Sequence, residues 1–267
     1  EELSRMGEVY VNDAFSASHR EHASLSGLPK FLPSFFGLCM EKEILALDNV
    51  FSRPVSPVVA IIGGSKISTK IQLLESLIRS VDKVIIGGAM ANTFLKATAN
   101  NIGASLYETS CIDIASGIVN LAKSKNVKLV LPVDAKVSKK LGDFPSAKNK
   151  ILDEIEIDDM ILDLGIESSR IIMDEISDAN TVIWNGPLGA IEYKPFDQST
   201  VAVAKELALR CKDKNSKVVV GGGDTIYGIN IAGTYEDYTH VSTGGGAFLQ
   251  WLEGKDLPAV EAILNKH

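Results

Sequence analysis

Lys217-Val218-Val219-Val220-Gly221-Gly222-Gly223-Asp224-Thr225 decides the fold. A short run of β-branched residues without polar alternation is a strand buried on both faces, the kind found in parallel sheets. Three glycines then release the chain, and an acid and a hydroxyl open what reads as a helix. Working outward, the same punctuation recurs. Pro57 to Ile62 precedes Gly63-Gly64, and Lys83 to Ile86 precedes Gly87-Gly88. Val127 to Leu131 precedes Pro132, and Thr181 to Trp184 precedes Asn185-Gly186-Pro187. His240-Val241-Ser242 leads through Thr243 to Gly244-Gly245-Gly246.

Helical spacing lies between these runs. Lys70 to Ile78 repeats apolar residues at i, i+3, i+4 and i+7, and Ile112 to Ala122, Ser199 to Leu209 and Gly246 to Leu252 also read as helices. Alternating strands and helices imply right-handed crossovers. The expected fold is α/β: a Rossmann-like doubly wound, mainly parallel sheet with helices on both faces, from about Val55 to Trp251. Residues 136 to 175 interrupt it. Lys136 to Lys140 and the acidic stretch Asp153 to Asp163 read as an exposed, hairpin-like insertion whose charges are solvated surface, followed by a return to the sheet.

The first 37 residues stand outside the alternation. Glu8-Val9-Tyr10-Val11 reads as one strand that cannot satisfy its own backbone, and Cys39 to Phe51 reads as a helix ended by Pro54. A remnant of a second α/β domain is the expectation for this part.

Composition narrows the function. The 267 residues are 45% hydrophobic and carry a formal charge of −7, which leaves no cationic surplus for a nucleic-acid backbone. No apolar run is long enough to span a membrane. Cys39, Cys111 and Cys211 lie far apart, with neither zinc-ligand nor disulfide spacing, and three free thiols suit the cytoplasm.

Ligands of open parallel sheets sit beyond the carboxyl ends of the strands, where glycine lets backbone approach closely. No GxxxxGK[ST] is present and no GxGxxG follows the first strand, so a phosphate site must be built another way. Gly221 to Thr225 offers free N–H groups at a helix start, Asp224 as a carboxylate for Mg²⁺, and Thr225 as N-cap; an ordinary helix start reads equally well. Ser242 to Gly246 repeats the pattern. Lys66 and Lys70, four apart after Gly63-Gly64, sit on one face of a starting helix, where cations are disfavoured unless an anion is held. Solvated lysines are the plain alternative. Trp184 to Glu192 adds an amide, a rigid turn and a carboxylate.

Read together, Val9 to Phe15, Gly63 to Lys70, Gly87 to Ala91, Trp184 to Glu192, Gly221 to Thr225 and Ser242 to Phe248 resemble the phosphoglycerate kinase family in order and spacing, above all through WNGPLG, GGGDT and STGGGAFL. The resemblance spans nearly the whole chain. It implies reversible phosphoryl transfer from 1,3-bisphosphoglycerate to MgADP, giving 3-phosphoglycerate and ATP in glycolysis, by a cytoplasmic monomer that uses Mg²⁺. Catalytic roles are implied for Lys70, Gly223 and Gly246. Nucleotide contacts are implied for Gly64, Lys66, Lys70, Asn185, Pro187, Glu192, Gly222, Gly223, Asp224 and Thr225, with Asp224 also on the metal. Arg20 matches an arginine of the family's phosphoglycerate-binding patch, although the family loop AFGTAHR reads Ala14-Phe15-Ser16-Ala17-Ser18-His19-Arg20 here.

The resemblance also implies domain roles: residues 1–37 as the end of the substrate-binding domain, 38–54 as interdomain helix and linker, 55–251 as nucleotide-binding domain and 252–267 as a returning tail. The family's N-terminal substrate segments, Asp-x-Asn and His-Leu-Gly-Arg, have no counterpart in the first 37 residues, so the expectation is a chain that binds nucleotide but is catalytically incomplete. Two rival classes stay open: an inactive nucleotide-binding scaffold, and another small-molecule kinase or a dehydrogenase on a similar sheet.

Overall fold

A computed structural model of the chain describes residues 1–52, 54–142, 144–213 and 216–265. The backbone divides into two compact units, Glu1–Arg53 with Ser242–His267, and Pro54–Val241.

The first unit begins with β1 (Tyr10–Asn12) and β2 (Ser34–Phe36), paired in parallel with Val11 opposite Phe35. Helix α1 (Leu38–Phe51) follows and buries Met40, Leu47 and Val50. Asp13 accepts the Met40 N–H at 2.9 Å near its start.

The second unit holds the doubly wound sheet. Its strands are β3 (Val58–Ile62), β4 (Lys83–Ile86), β5 (Lys128–Val130), β9 (Thr181–Asn185), β10 (Lys217–Gly221) and β11 (His240–Ser242), in the order β11-β10-β9-β3-β4-β5. Every residue of β3 and β9 is buried, as mainly apolar strands without polar alternation require. Pairing is parallel from β10 to β5. One half of the chain builds outward from β3 and the other from β9, so the strand order reverses between those two. Helices α2 (Ile71–Leu77), α3 (Met90–Ala97), α4 (Ile112–Ser124), α6 (Gln198–Asp213) and α7 (Gly223–Ile231) lie among the connections. Val59, Ile61, Val182, Trp184, Val203, Leu207 and Val218 belong to one buried core.

The insertion is a sheet of its own. Strands β6 (Asp134–Ser138), β7 (Lys148–Ile151) and β8 (Met160–Leu164) pair antiparallel in the order β7-β6-β8, and α5 (Ile166–Ile176) leads on to β9. The reading of this segment as exposed excursion needs correction. Ala135, Val137, Leu152 and Ile155 bury a second small core with Leu95 and Ile102. Its charges are paired rather than merely solvated: Lys150 lies 2.7 Å from Asp159 and 3.2 Å from Glu156, and Lys139 binds the same acidic group. Asp134, Asp159 and Asp163 are buried.

Two short helices complete the first unit, α8 (Gly246–Leu252) and α9 (Pro258–Leu264), where the Ala259 N–H donates to Ser18 O at 3.1 Å. Residues 242–251, grouped with the sheet domain from sequence, thus fall in the unit that contains β1. No helix among the described residues is long and apolar enough to cross a membrane.

Candidate functional site

The point of strand-order reversal is where open α/β sheets form a crevice. In this chain it is closed by backbone. Ile62 pairs with Asn185, and just beyond them the Gly63 N–H donates to Asn185 O at 2.9 Å and the Gly64 N–H to Pro187 O at 3.0 Å. The Lys70 ammonium crosses this junction, donating to Gly63 O at 2.6 Å and Asn185 O at 3.1 Å. An ammonium has three donors, so two fix its position and one is left for an anion. Burial pushes its pKa down to about 8, against the upward pull of the Asp224 carboxylate. Lys70 is a cation held close to its titration point.

The neighbouring strand end supplies amides. Gly222 has φ +97°, and a Cβ there would sit 2.7 Å from Asn185 Nδ2, so only glycine suits the position. Asn185 Nδ2 in turn donates to Gly221 O at 2.8 Å. The first intrahelical bond of α7 runs from the Ile226 N–H to Gly222 O, so the amides of Gly223, Asp224 and Thr225 have no carbonyl behind them. They form the positive end of a nine-residue helix.

Two expectations are corrected here. Thr225 is not the N-cap, a place taken by Gly222. Its buried hydroxyl donates to Gly221 O at 2.9 Å and accepts the Gly186 N–H at 2.6 Å, tying the ends of β9 and β10 together. Nor do Lys66 and Lys70 share a helix face. Both precede α2 in a turn closed by the Lys70 N–H to Ile67 O at 2.8 Å.

Beside the junction lies a cleft of about 300 Å³. Gly64, Pro187, Glu192 and Asp224 line it, together with Gly88 and Ala89. Its apolar wall comes from Leu106, Pro132, Leu141, Met160, Leu162 and Leu164, a surface that suits a flat heterocycle. Sequence periodicity does not mark these residues, because four of the six, Leu141, Met160, Leu162 and Leu164, belong to the insertion. The alternation Met160-Ile161-Leu162-Asp163-Leu164 is the one signal that points there. Glu192 and Asp224 are exposed carboxylates of the lining.

Two further carboxylates line the cleft and are buried. Asp134 accepts the N–H groups of Glu167 at 3.0 Å and Ser168 at 2.7 Å, capping α5, and these bonds hold its carboxyl below the ordinary range despite burial. Asp163 accepts from Ser199 at the start of α6, yet burial pushes it up to about 7.

The second unit therefore gathers Gly64, Lys66, Lys70, Asn185, Pro187, Glu192, Gly222, Gly223, Asp224 and Thr225 on the carboxyl side of one sheet. Gly246 and Arg20 belong to the first unit. Gly246 opens α8, and a Cβ there would lie 2.9 Å from His19 Nε2; Arg20 is exposed. For a metal, Asp224 is a fitting donor: among the described residues its carboxylate has no hydrogen bond or ion pair, and it stands beside free amides that would hold the phosphates completing the coordination. Glu156, Asp158 and Asp159 also lie within metal-binding distance of one another, but Lys139 and Lys150 neutralise them.

Known proteins match this architecture. The family model for phosphoglycerate kinase matches residues 1–255. The phosphoglycerate kinase of Caulobacter vibrioides is 48% identical over 261 residues, covering 98% of this chain and 66% of the relative. That of Xanthobacter autotrophicus is 48% identical over 265 residues, with 98% and 66% covered. The solved phosphoglycerate kinase of Coxiella burnetii superposes with a TM-score of 0.93 at 38% identity, over 99% of this chain and 67% of its own. The Pyrococcus horikoshii enzyme gives 0.79 at 29% identity, over 99% and 65%. The chain thus spans about two thirds of the length of the relatives it matches. It belongs to the phosphoglycerate kinase family.

Proposed function

We propose that the second unit binds MgADP or MgATP and forms the nucleotide half of a phosphoglycerate kinase, an enzyme that moves the acyl phosphate of 1,3-bisphosphoglycerate reversibly to ADP. One observation carries the reading: Lys70 is held across the switch point with a donor to spare, at the junction beside the cleft and within electrostatic reach of Asp224 in the first turn of α7.

Each part has a physical role. The apolar wall excludes water from the base, and Glu192 accepts ribose hydroxyls. The amides of Gly223, Asp224 and Thr225 hold the phosphates, Gly222 and Gly64 let the backbone approach them closely, and Asn185 and Pro187 fix the floor beneath. Lys66 and Lys70 add positive charge, Lys70 at the phosphoryl in flight, where charge neutralisation and alignment carry the reaction. Mg²⁺, with Asp224 as its protein ligand, supplies further neutralisation of the phosphate oxygens. In the first unit, Gly246 shelters the transferring group and Arg20 grips the carboxylate or phosphate of 3-phosphoglycerate. The domain roles follow: residues 1–37 with the substrate, 38–54 as connection, 55–251 with the nucleotide, 252–267 as tail. A cytoplasmic monomer completes the proposal.

Displacement of a fluorescent ADP analogue tests it. MgADP is expected to compete, AMP to compete more weakly for want of the second phosphate, and NAD not to compete. Displacement by NAD with none by MgADP would favour a dehydrogenase and contradict the kinase reading.

A further inference from the structure

The two lysines sit in a turn that buries Ile67 but has few hydrogen bonds between its own residues. Between β3 and α2, the segment from Gly63 to Lys70 is closed by the Lys70 N–H to Ile67 O at 2.8 Å and the Thr69 hydroxyl to Lys66 O at 3.0 Å. A residue forty positions on supplies the missing support. The Glu108 carboxylate accepts the Ser68 N–H at 3.0 Å on one oxygen and the Ser68 hydroxyl at 2.6 Å on the other. Burial works against its charged form, but the Ser68 hydroxyl and amide, the Ile67 amide and the charge of Lys66 prevail and hold its carboxyl below the usual range.

Glu108 is itself anchored. Its N–H donates to Thr93 Oγ1 at 3.1 Å, and two residues earlier Leu106 O accepts from Asn92 Nδ2 at 3.0 Å. Asn92 and Thr93 are buried in the first turn of α3, and both Asn92 and Leu106 line the cleft, whereas Glu108 does not. A rigid helix thus reaches the lysine-bearing turn through one carboxylate.

We propose that Glu108 is a positioning residue: by clamping Ser68 it holds the turn that places Lys66 and Lys70 at the phosphate end of the nucleotide site. The claim rests on the nucleotide reading above. It runs against simple electrostatics. A carboxylate near a phosphate site repels the ligand, so its removal should tighten anion binding if charge were its only effect. A clamp predicts the opposite sign.

Calorimetric titration of MgADP and of adenosine separates the two. Glu108→Ala is expected to weaken MgADP by about tenfold while adenosine, which reaches only the apolar end, binds as to the wild type. Glu108→Gln keeps one acceptor oxygen and the size of the side chain, and should fall between. Ser68→Ala should weaken MgADP less than Glu108→Ala, and the double variant should be no weaker than Glu108→Ala, because the hydroxyl has nothing to bind once the carboxylate is gone. Unchanged or tighter MgADP binding in both Glu108 variants would overturn the proposal, as would a parallel loss of adenosine, which marks general damage. A wild-type chain that ignores MgADP would remove the nucleotide reading itself, and this claim with it.

Discussion

Lys70 concentrates the chemistry of the site in one side chain. Its two backbone acceptors are Asn185 O, the last carbonyl of β9, and Gly63 O, the first carbonyl after β3, so the sheet ends themselves aim the ammonium. Burial lowers its pKa from 10.5 to about 8. Two consequences follow with definite signs. An anionic ligand prefers the charged form, so MgADP affinity should fall by about tenfold between roughly pH 7 and pH 9, as the free protein loses this proton. Folding obeys the same linkage. Between pH 8 and 10.5 the unfolded chain holds more protons at this residue, so its contribution to stability rises with pH across that window. Titrations of MgADP at a series of pH values check the first statement. A flat profile in the wild type would contradict it, and an equal slope in Lys70→Met would show that some other group titrates. Thr225 teaches a different lesson at this scale. A threonine after glycine and aspartate is the familiar sign of a helix cap, yet Thr225 lies within the first turn of α7, and its hydroxyl is spent on Gly221 O and the Gly186 N–H.

At the scale of elements, the site depends on how closely the strand ends approach one another. Gly88, after β4, has φ +66°, and a Cβ there would lie 2.5 Å from Gly64 O and 2.6 Å from Gly64 N. Gly88→Ala should therefore cost at least about 3 kcal/mol of stability, combining left-handed strain with a backbone collision. Urea unfolding measures it, and a loss below about 1 kcal/mol would mean that the strand ends are free to part. Strands β3, β4, β9 and β10 were legible in the sequence for the same reason that they pack, as Val and Ile runs buried on both faces, while β5 and β11 were marked by the Pro and Gly that follow them. Helix α3 was not. It is only eight residues long, and its polar Asn92 and Thr93 are buried with Met90, Ala91, Phe94 and Leu95, so polarity does not tell which residues face inward. Helix α5 is capped by Asp134, more than thirty residues earlier, which no local pattern can reveal. The insertion deceived for a related reason. Its lysines and acids look solvated one at a time, and only the β6–β7–β8 pairing brings Lys139 and Lys150 against Glu156 and Asp159.

For the whole molecule, the division into two units assigns the proposed chemistry unequally. The unit Pro54–Val241 contains the switch point, the cleft, Lys70, Glu192 and Asp224, while Gly246 and Arg20 lie in the other. The motifs that carry the family resemblance were legible because each ends a strand; the apolar wall was not, because Leu106 and Leu141 come from connections whose path the sequence leaves open, and Met160 from a strand of the insertion. The central claim is that Lys70 and the start of α7 form one phosphate site on the second unit. Calorimetric titration of MgADP into the wild-type chain, Lys70→Ala and Asp224→Ala tests it most directly. Saturable one-to-one binding by the wild type, weakened by about tenfold or more in each variant, is the predicted result; equal affinity in all three proteins would contradict it.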